Sequence, residues 1–188
     1  MGLRLIFLGP QGSGKGTQAS RLARLMGVPH ISTGEMLRQA VADATELGKK
    51  ADAIMQAGDL VPDDLVVAMV GERLAQEDAA CGYILDGFPR NVAQARALDE
   101  VLATPLDGLV QLDVPHDELM ERMLLRAERE GRADDTEEGI SRRLAIYWEE
   151  TAPLSDYYRD GGRKVFRVDG LGAIDEVFAR VALALAVD

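Results

Sequence analysis

The stretch Phe7–Gln18, FLGPQGSGKGTQ, limits what this chain can fold into more than any other. Gly9, Gly14 and Lys15 fit the spacing G-x-x-x-x-G-K, and the run Leu3, Leu5, Ile6, Phe7, Leu8 precedes them. A short, nearly continuous apolar run suits a strand buried on both faces of a parallel sheet. The residues from Lys15 to Met26 then read as a helix, stopped by Gly27 and Pro29. A glycine loop between such a strand and such a helix turns its backbone N–H groups toward one point, and the helix start adds partial positive charge there. The combination is a phosphate cradle in which Gly12, Ser13, Gly14, Lys15, Gly16 and Thr17 supply the contacts and Lys15 reaches the distal phosphates. The residue after Lys15 is Gly16 rather than Ser or Thr, so the usual magnesium-ligating hydroxyl is displaced by one residue, to Thr17.

The rest of the chain repeats the alternation. Tyr83–Asp86, Leu109–Val114 and Lys164–Asp169 read as further buried strands, and His30–Ser32 as a short fifth. Helices are expected from the S-x-x-E capping box at Ser32–Glu35, over Asp117–Glu130, over Thr136–Glu150 and over Ile174–Ala186. In Thr136–Glu150 the residues Ile140, Leu144, Tyr147 and Trp148 fall on one face. The fold class is therefore α/β: three layers around a five-stranded parallel sheet, in one domain of 188 residues.

Charge and composition remove several function classes. The net charge of −11 argues against a general nucleic-acid binder. A single cysteine, Cys81, excludes an internal disulfide and a four-cysteine zinc site, and suits a reducing compartment. Met1–Leu8 is too short for a signal peptide and no apolar run approaches the ~20 residues of a membrane span. A cytoplasmic protein follows as the expectation. A GTPase would carry an Asn-Lys-x-Asp guanine reader, and the only asparagine is Asn91. His30 and His116 sit apart from any nucleophile motif and read as structural.

A second phosphate-binding stretch is YILDGFPRN. Asp86 ends an apolar strand, where a parallel sheet presents ligand groups, and can hold Mg²⁺ through water. Arg90 follows a sharp turn and can clamp a phosphate with its planar fork. Arg122, Arg126 and Arg129 share one flank of a helix, with Glu118 four residues before Arg122 and Glu128 beside Arg129. Arg132 comes next. At 100° per residue Arg143 flanks the apolar face of its helix and Arg142 points away from it, so Arg143 reaches a cleft and Arg142 reads as a solvated charge paired with neighbouring acids.

GPQGSGKGTQ, STGEMLR, GDLVPDDLV and DGFPRNVAQ, in this order and spacing, resemble the adenylate kinases, and the likeness runs over essentially the whole chain. The resemblance implies γ-phosphoryl transfer from ATP to AMP, giving two ADP, with Mg²⁺ accompanying ATP and held largely through water. It implies a small acceptor-binding helical insertion over residues 32–61 and a short lid over 127–137, without a zinc-binding insert. Carried over residue by residue, Thr33 and Gln94 would read adenine. Arg38 and Arg90 would hold the AMP phosphate, and Asp59, Leu60 and Val61 would pass the base. Gly87, Phe88 and Pro89 would complete the acceptor site. Arg126, Arg132 and Arg143 would surround the reacting phosphates, Asp134 and Asp135 would pair at the lid hinge, and Gly172 would lie against the adenine of ATP. The resemblance further implies a monomer whose partners are the nucleotides alone, with no nucleic acid and no membrane. UMP/CMP kinases share DGFPRN but tend to have Ala in place of Thr33 and Asn in place of Gln94. A non-catalytic nucleotide-binding module would lack Lys15 or the arginines.

Overall fold

A computed structural model describes residues 2–102, 104–130 and 136–186, with the side chain of residue 130 left out. Five strands form one sheet: β1 (Arg4–Leu8), β2 (His30–Ser32), β3 (Tyr83–Asp86), β4 (Gly108–Asp113) and β5 (Lys164–Asp169). Their spatial order is β2-β3-β1-β4-β5 and every pairing is parallel. The helices are α1 (Lys15–Met26), α2 (Thr33–Ala42), α3 (Glu46–Gln56), α4 (Asp63–Leu74), α5 (Val92–Val101), α6 (His116–Glu130), α7 (Glu137–Ile146), α8 (Leu154–Asp160) and α9 (Ile174–Ala186).

Alternation along β1 splits the core between the two faces of the sheet. Leu5 and Phe7 pack with Ala19 and Leu22 of α1 and Val177 and Val181 of α9. Ile6 and Leu8 face the other way, toward Ala95 and Leu98 of α5 and Leu154 and Tyr158 of α8. Leu5, Ile6, Phe7 and Leu8 are all buried, as an uninterrupted apolar run requires, and only Arg4 at the start of β1 is half-buried. β5 departs from the expectation of a buried strand: Lys164, Arg167 and Asp169 are exposed. It lies at the edge of the sheet, next to β4 alone, so only one side of it is paired and its faces are covered in part.

The topology places a crevice. Helix α1 leaves β1 toward one face of the sheet, and α5 leaves the adjacent β3 toward the opposite face. Where neighbouring connections diverge in this way, the carboxyl ends of the two strands open onto a cleft. The register brings Phe7, Asp86 and Ser32 side by side at that edge.

Helix boundaries follow local chemistry. The Ser32 hydroxyl accepts from the backbone N–H of Glu35 at 3.5 Å, so Ser32 caps α2 and Thr33 is its first residue. The expected single helix over Thr136–Glu150 is instead α7 followed by a wide turn over Tyr147–Thr151, where Ala152 N–H donates to Tyr147 C=O at 2.8 Å. That i→i+5 turn shifts the facing of the residues within and beyond it. Ile140, Leu144 and Tyr147 are buried as the periodicity requires, and Thr151 with them, but Trp148 is exposed. Among the described residues no helix is long and apolar enough to cross a membrane.

Candidate active site

The phosphate cradle is built from backbone. Gly14 sits at φ 87°, a left-handed conformation that costs a side chain of ordinary chirality but not glycine, and it directly precedes α1. Lys15 folds back over the loop and its Nζ donates to Pro10 C=O at 3.3 Å. Gly16, the departure from a hydroxyl residue, has a spatial cause: a Cβ there would lie 3.2 Å from Asp86 Oδ2. A serine or threonine would crowd the carboxylate that ends β3.

A cavity of about 490 Å³ spans the crevice. Its walls gather most of the residues singled out from sequence: Gly12, Gly14, Lys15, Gly16 and Thr17 from the loop and α1; Thr33 and Arg38 from α2; Asp59, Leu60 and Val61 before α4; Asp86, Gly87, Pro89, Arg90 and Gln94 after β3; Arg126 from α6; and Arg143 from α7. The apolar side chains of Met55 and Leu37 also line it.

Three expected residues stand apart. Ser13 is buried, with its N–H donating to Pro10 C=O at 3.2 Å, and its side chain lies under Gly9 rather than in the cleft. Phe88 is 1% exposed and packs in the core below α5. Gly172 lies on the turn between β5 and α9, beyond the cavity lining. Arg132, Asp134 and Asp135 lie outside the described residues, as do residues 131–135 of the expected lid as a whole.

Asp86 is 7% exposed at the floor of this cleft. Burial pushes its carboxyl up, but the close approach of His30 and the charges of Lys15 and Arg90 outweigh that and hold it below the usual carboxylate value. His30 Nε2 stands 3.5 Å from Asp86 Oδ2 without a hydrogen bond between them, so the histidine that reads as structural in fact borders the site. Asp86 Oδ1 is buried with no hydrogen-bond partner among the described residues. A carboxylate with an unpartnered oxygen, in the wall of the cavity that the phosphate cradle also lines, fits a hydrated cation brought in with a nucleotide.

Lys15 is pulled the other way. Burial lowers it most, Asp86 opposes, and Arg90, Arg126 and Arg143 lower it further, to about 8 from 10.5. Four cationic side chains thus converge with one carboxylate between them. A concentration of cationic side chains around the phosphate cradle is suited to several phosphate charges.

Arg90 is held at three points. Its N–H donates to Gln94 Oε1 at 2.7 Å, its Nε donates to Gly87 C=O at 2.8 Å, and its C=O accepts from Thr151 Oγ1 at 2.6 Å. Thr151 is not a site residue on the sequence reading, because the expected helix ends one residue before it, although at 100° per residue it falls within about 20° of the buried Ile140 and Leu144. Replacing it with valine keeps the shape and removes the donor. A decrease of about threefold to tenfold in turnover and a loss of roughly 1 kcal/mol in stability are expected, read by steady-state rates and urea unfolding.

Arg122 and Tyr147 also line the cavity, although neither is a site residue on the sequence reading. Arg122 makes the expected bond to Glu118, Nε to Oε1 at 2.7 Å, yet it also donates from Nη1 to Gly170 C=O at 3.2 Å. Its spacing from Arg126, one helical turn, is the available signal. Arg142 does pair with an acid, but not a neighbouring one: its Nε bonds Asp59 Oδ1, which joins α7 to the segment before α4.

A glycine loop at the carboxyl edge of a parallel sheet, sharing a cavity of about 490 Å³ with several guanidiniums, defines the class of P-loop phosphotransferases. Similarity to known proteins narrows the class. The family model described as adenylate kinase matches residues 7–163. An adenylate kinase of Stenotrophomonas maltophilia (strain K279a) is 53% identical over 186 residues, covering 97% of this chain and 99% of the relative. An adenylate kinase of Xanthomonas euvesicatoria pv. vesicatoria is likewise 53% identical with the same coverage. The chain belongs to the adenylate kinase family.

Proposed function

We propose that this chain catalyses the reversible transfer ATP + AMP = 2 ADP, the reaction of its family, with the labour divided among its residues. The loop backbone from Gly12 to Thr17 and Lys15 receive the ATP phosphates. Arg38 and Arg90 hold the AMP phosphate. Arg126 and Arg143, with Arg132 joining from outside the described residues, neutralise the transferring group. Thr33 and Gln94 read the acceptor base, Asp59–Val61 pass beside it, and the backbone near Gly172 borders the donor adenine. Residues 32–61 and 127–137 are the parts that close over the nucleotides.

The observation that carries this reading is the tether of Arg90 beside the Lys15–Asp86 pair, opposite Arg126 and Arg143. In the transfer an oxygen of the AMP phosphate attacks the γ-phosphorus. The bond from that phosphorus to the β,γ-bridging oxygen breaks, and its electron pair leaves with the first ADP. The attacking oxygen is already ionised, so no general base is needed and the protein's task is alignment and charge neutralisation. Mg²⁺ bound with ATP supplies further neutralisation of the phosphate oxygens, and Asp86 would hold it through water. Exclusion of water by closure keeps ATP from hydrolysis.

The protein is proposed to act as a monomer in the cytoplasm; the exposed free thiol of Cys81 suits a reducing compartment. A coupled assay with ATP and Mg²⁺, offering AMP, CMP and UMP in turn, tests the reading. AMP is expected to be preferred by at least about tenfold in kcat/KM. Preference for a pyrimidine acceptor would overturn the assignment of Thr33 and Gln94, and no transfer to any acceptor would overturn the reaction.

A further inference from the structure

Gln94 is 1% exposed, and both ends of its amide are engaged. Oε1 accepts from the Arg90 N–H at 2.7 Å, and Nε2 donates to Asp63 Oδ1 at 2.6 Å. Asp63, the first residue of α4, also receives Asn91 Nδ2 at 3.1 Å and 3.2 Å on its two oxygens. Asn91 in turn caps α5, its Oδ1 accepting the Gln94 N–H at 2.8 Å. This network fixes the amide's direction. Rotating it by half a turn would set NH₂ against the Arg90 N–H and the amide oxygen against the Asp63 carboxylate, two repulsive contacts in place of two attractive ones.

We propose that Asp63 is a specificity-determining positioning residue, which locks the Gln94 amide so that the acceptor site takes a 6-aminopurine and rejects a 6-oxopurine. The proposal rests on the reading that Gln94 faces the acceptor base. With one N–H given to Asp63 and one lone pair given to Arg90, Gln94 has one N–H and one lone pair left, and their order is fixed. Adenine presents an acceptor at N1 and a donor at the 6-amino group. Hypoxanthine presents the reverse, a donor at N1 and an acceptor at O6. A freely turning amide serves both edges; a locked one serves only one. Thr33 adds a second fixed acceptor, because its hydroxyl proton is donated to Gly87 C=O at 2.9 Å and its lone pairs remain. A 6-oxo group facing that oxygen would leave two acceptors opposed without a proton.

The test compares kcat/KM for AMP with that for IMP, which differ at this edge alone. Asp63→Ala is expected to lower the AMP/IMP ratio by about 10- to 100-fold, chiefly by admitting IMP, since the Arg90 N–H still biases the amide in part. Asp63→Asn keeps an oxygen that can accept from Gln94 Nε2 and is expected to hold the ratio within about threefold of the wild type. If Asp63→Ala does not fold, Asp63→Ser, whose hydroxyl is too short to reach, takes its place. A merely structural role for Asp63 would lower both efficiencies together. An unchanged ratio in the alanine or serine variant therefore overturns the proposal. Gln94→Ala separates the two readings: unchanged AMP efficiency there would show that Gln94 does not face the base, whatever Asp63 does.

Discussion

The Lys15→Met variant is expected to be more stable than the wild type and close to inactive. The stability gain rests on the electrostatics of the cleft. Lys15 titrates at about 8 in the folded chain against 10.5 as its ordinary value, because burial and three guanidiniums disfavour its charge. Below pH 8 it is protonated in folded and unfolded states alike, and the fold carries the whole cost of that charge, on the order of 3 kcal/mol at most. Between pH 8 and 10.5 the unfolded chain binds the extra proton, so this group makes stability rise with pH across that window. Methionine has similar length and no charge. Urea unfolding at pH 7 is expected to show the variant ahead by roughly 1–3 kcal/mol, and the advantage is expected to shrink toward pH 10. Equal stability at pH 7 would mean that the charge is not disfavoured as the geometry implies.

The same electrostatics serve catalysis. Phosphates entering the cleft favour the charge on Lys15, so above pH 8 Lys15 takes up its proton as ATP binds. Without it, turnover is expected to fall about 10³-fold, the scale for removing a preorganised charge from a developing phosphoryl transition state. In the wild type, KM for ATP is expected to climb above pH 8, approaching tenfold per pH unit while Lys15 is the group that must be protonated. A flat KM between pH 8 and 9.5 would exclude Lys15 as that group.

How far the site is legible in the sequence depends on whether the signal is local. The strand, loop and helix around Lys15 are contiguous, so spacing alone places the cradle, and Asp86 and Arg90 follow a strand that periodicity marks. Residues whose roles arise from contact across the chain give no such signal. Asp63 meets Gln94 31 positions away, and Arg142 meets Asp59 83 positions away. In the sequence the sole asparagine serves only to exclude a guanine reader, yet in the fold Asn91 ties α4 to α5. Trp148 and Thr151 are missed for different reasons: at 100° per residue Trp148 stands about 80° from Ile140, at the margin of the apolar face, whereas Thr151 falls within about 20° of Ile140 and Leu144 but is polar and lies one residue past the expected helix end. β5 reads as buried because its alternation resembles that of the other strands; sheet order, which places it at the edge, is not written in its own residues.

Arg90→Lys is the second large effect, although it preserves formal charge. The guanidinium is positioned from both directions: Nε is spent on Gly87 C=O, so the two terminal nitrogens are aimed rather than free to turn, and the backbone on either side is fastened to Gln94 and Thr151. A lysine at that site has no planar fork and no Nε donor, so the tether and the paired contact to phosphate vanish together. The electrostatics compound the loss. Burial already disfavours the charge at this position, and Arg143 and Arg38 disfavour it further, with only Asp86 opposing. Arginine stays protonated under that pressure because its ordinary value is so high, whereas an ammonium would be driven toward the value Lys15 shows in the same cleft. We expect kcat/KM for AMP to fall about 10²- to 10³-fold at pH 7.5, with kcat sharing the loss, and the loss relative to the wild type at the same pH to deepen at pH 9, where the introduced ammonium gives up its proton. Steady-state rates at the two pH values, beside thermal unfolding to confirm an intact fold, decide the matter. A loss below tenfold would show that charge alone suffices at this position and that the three tethers of Arg90 serve only the fold.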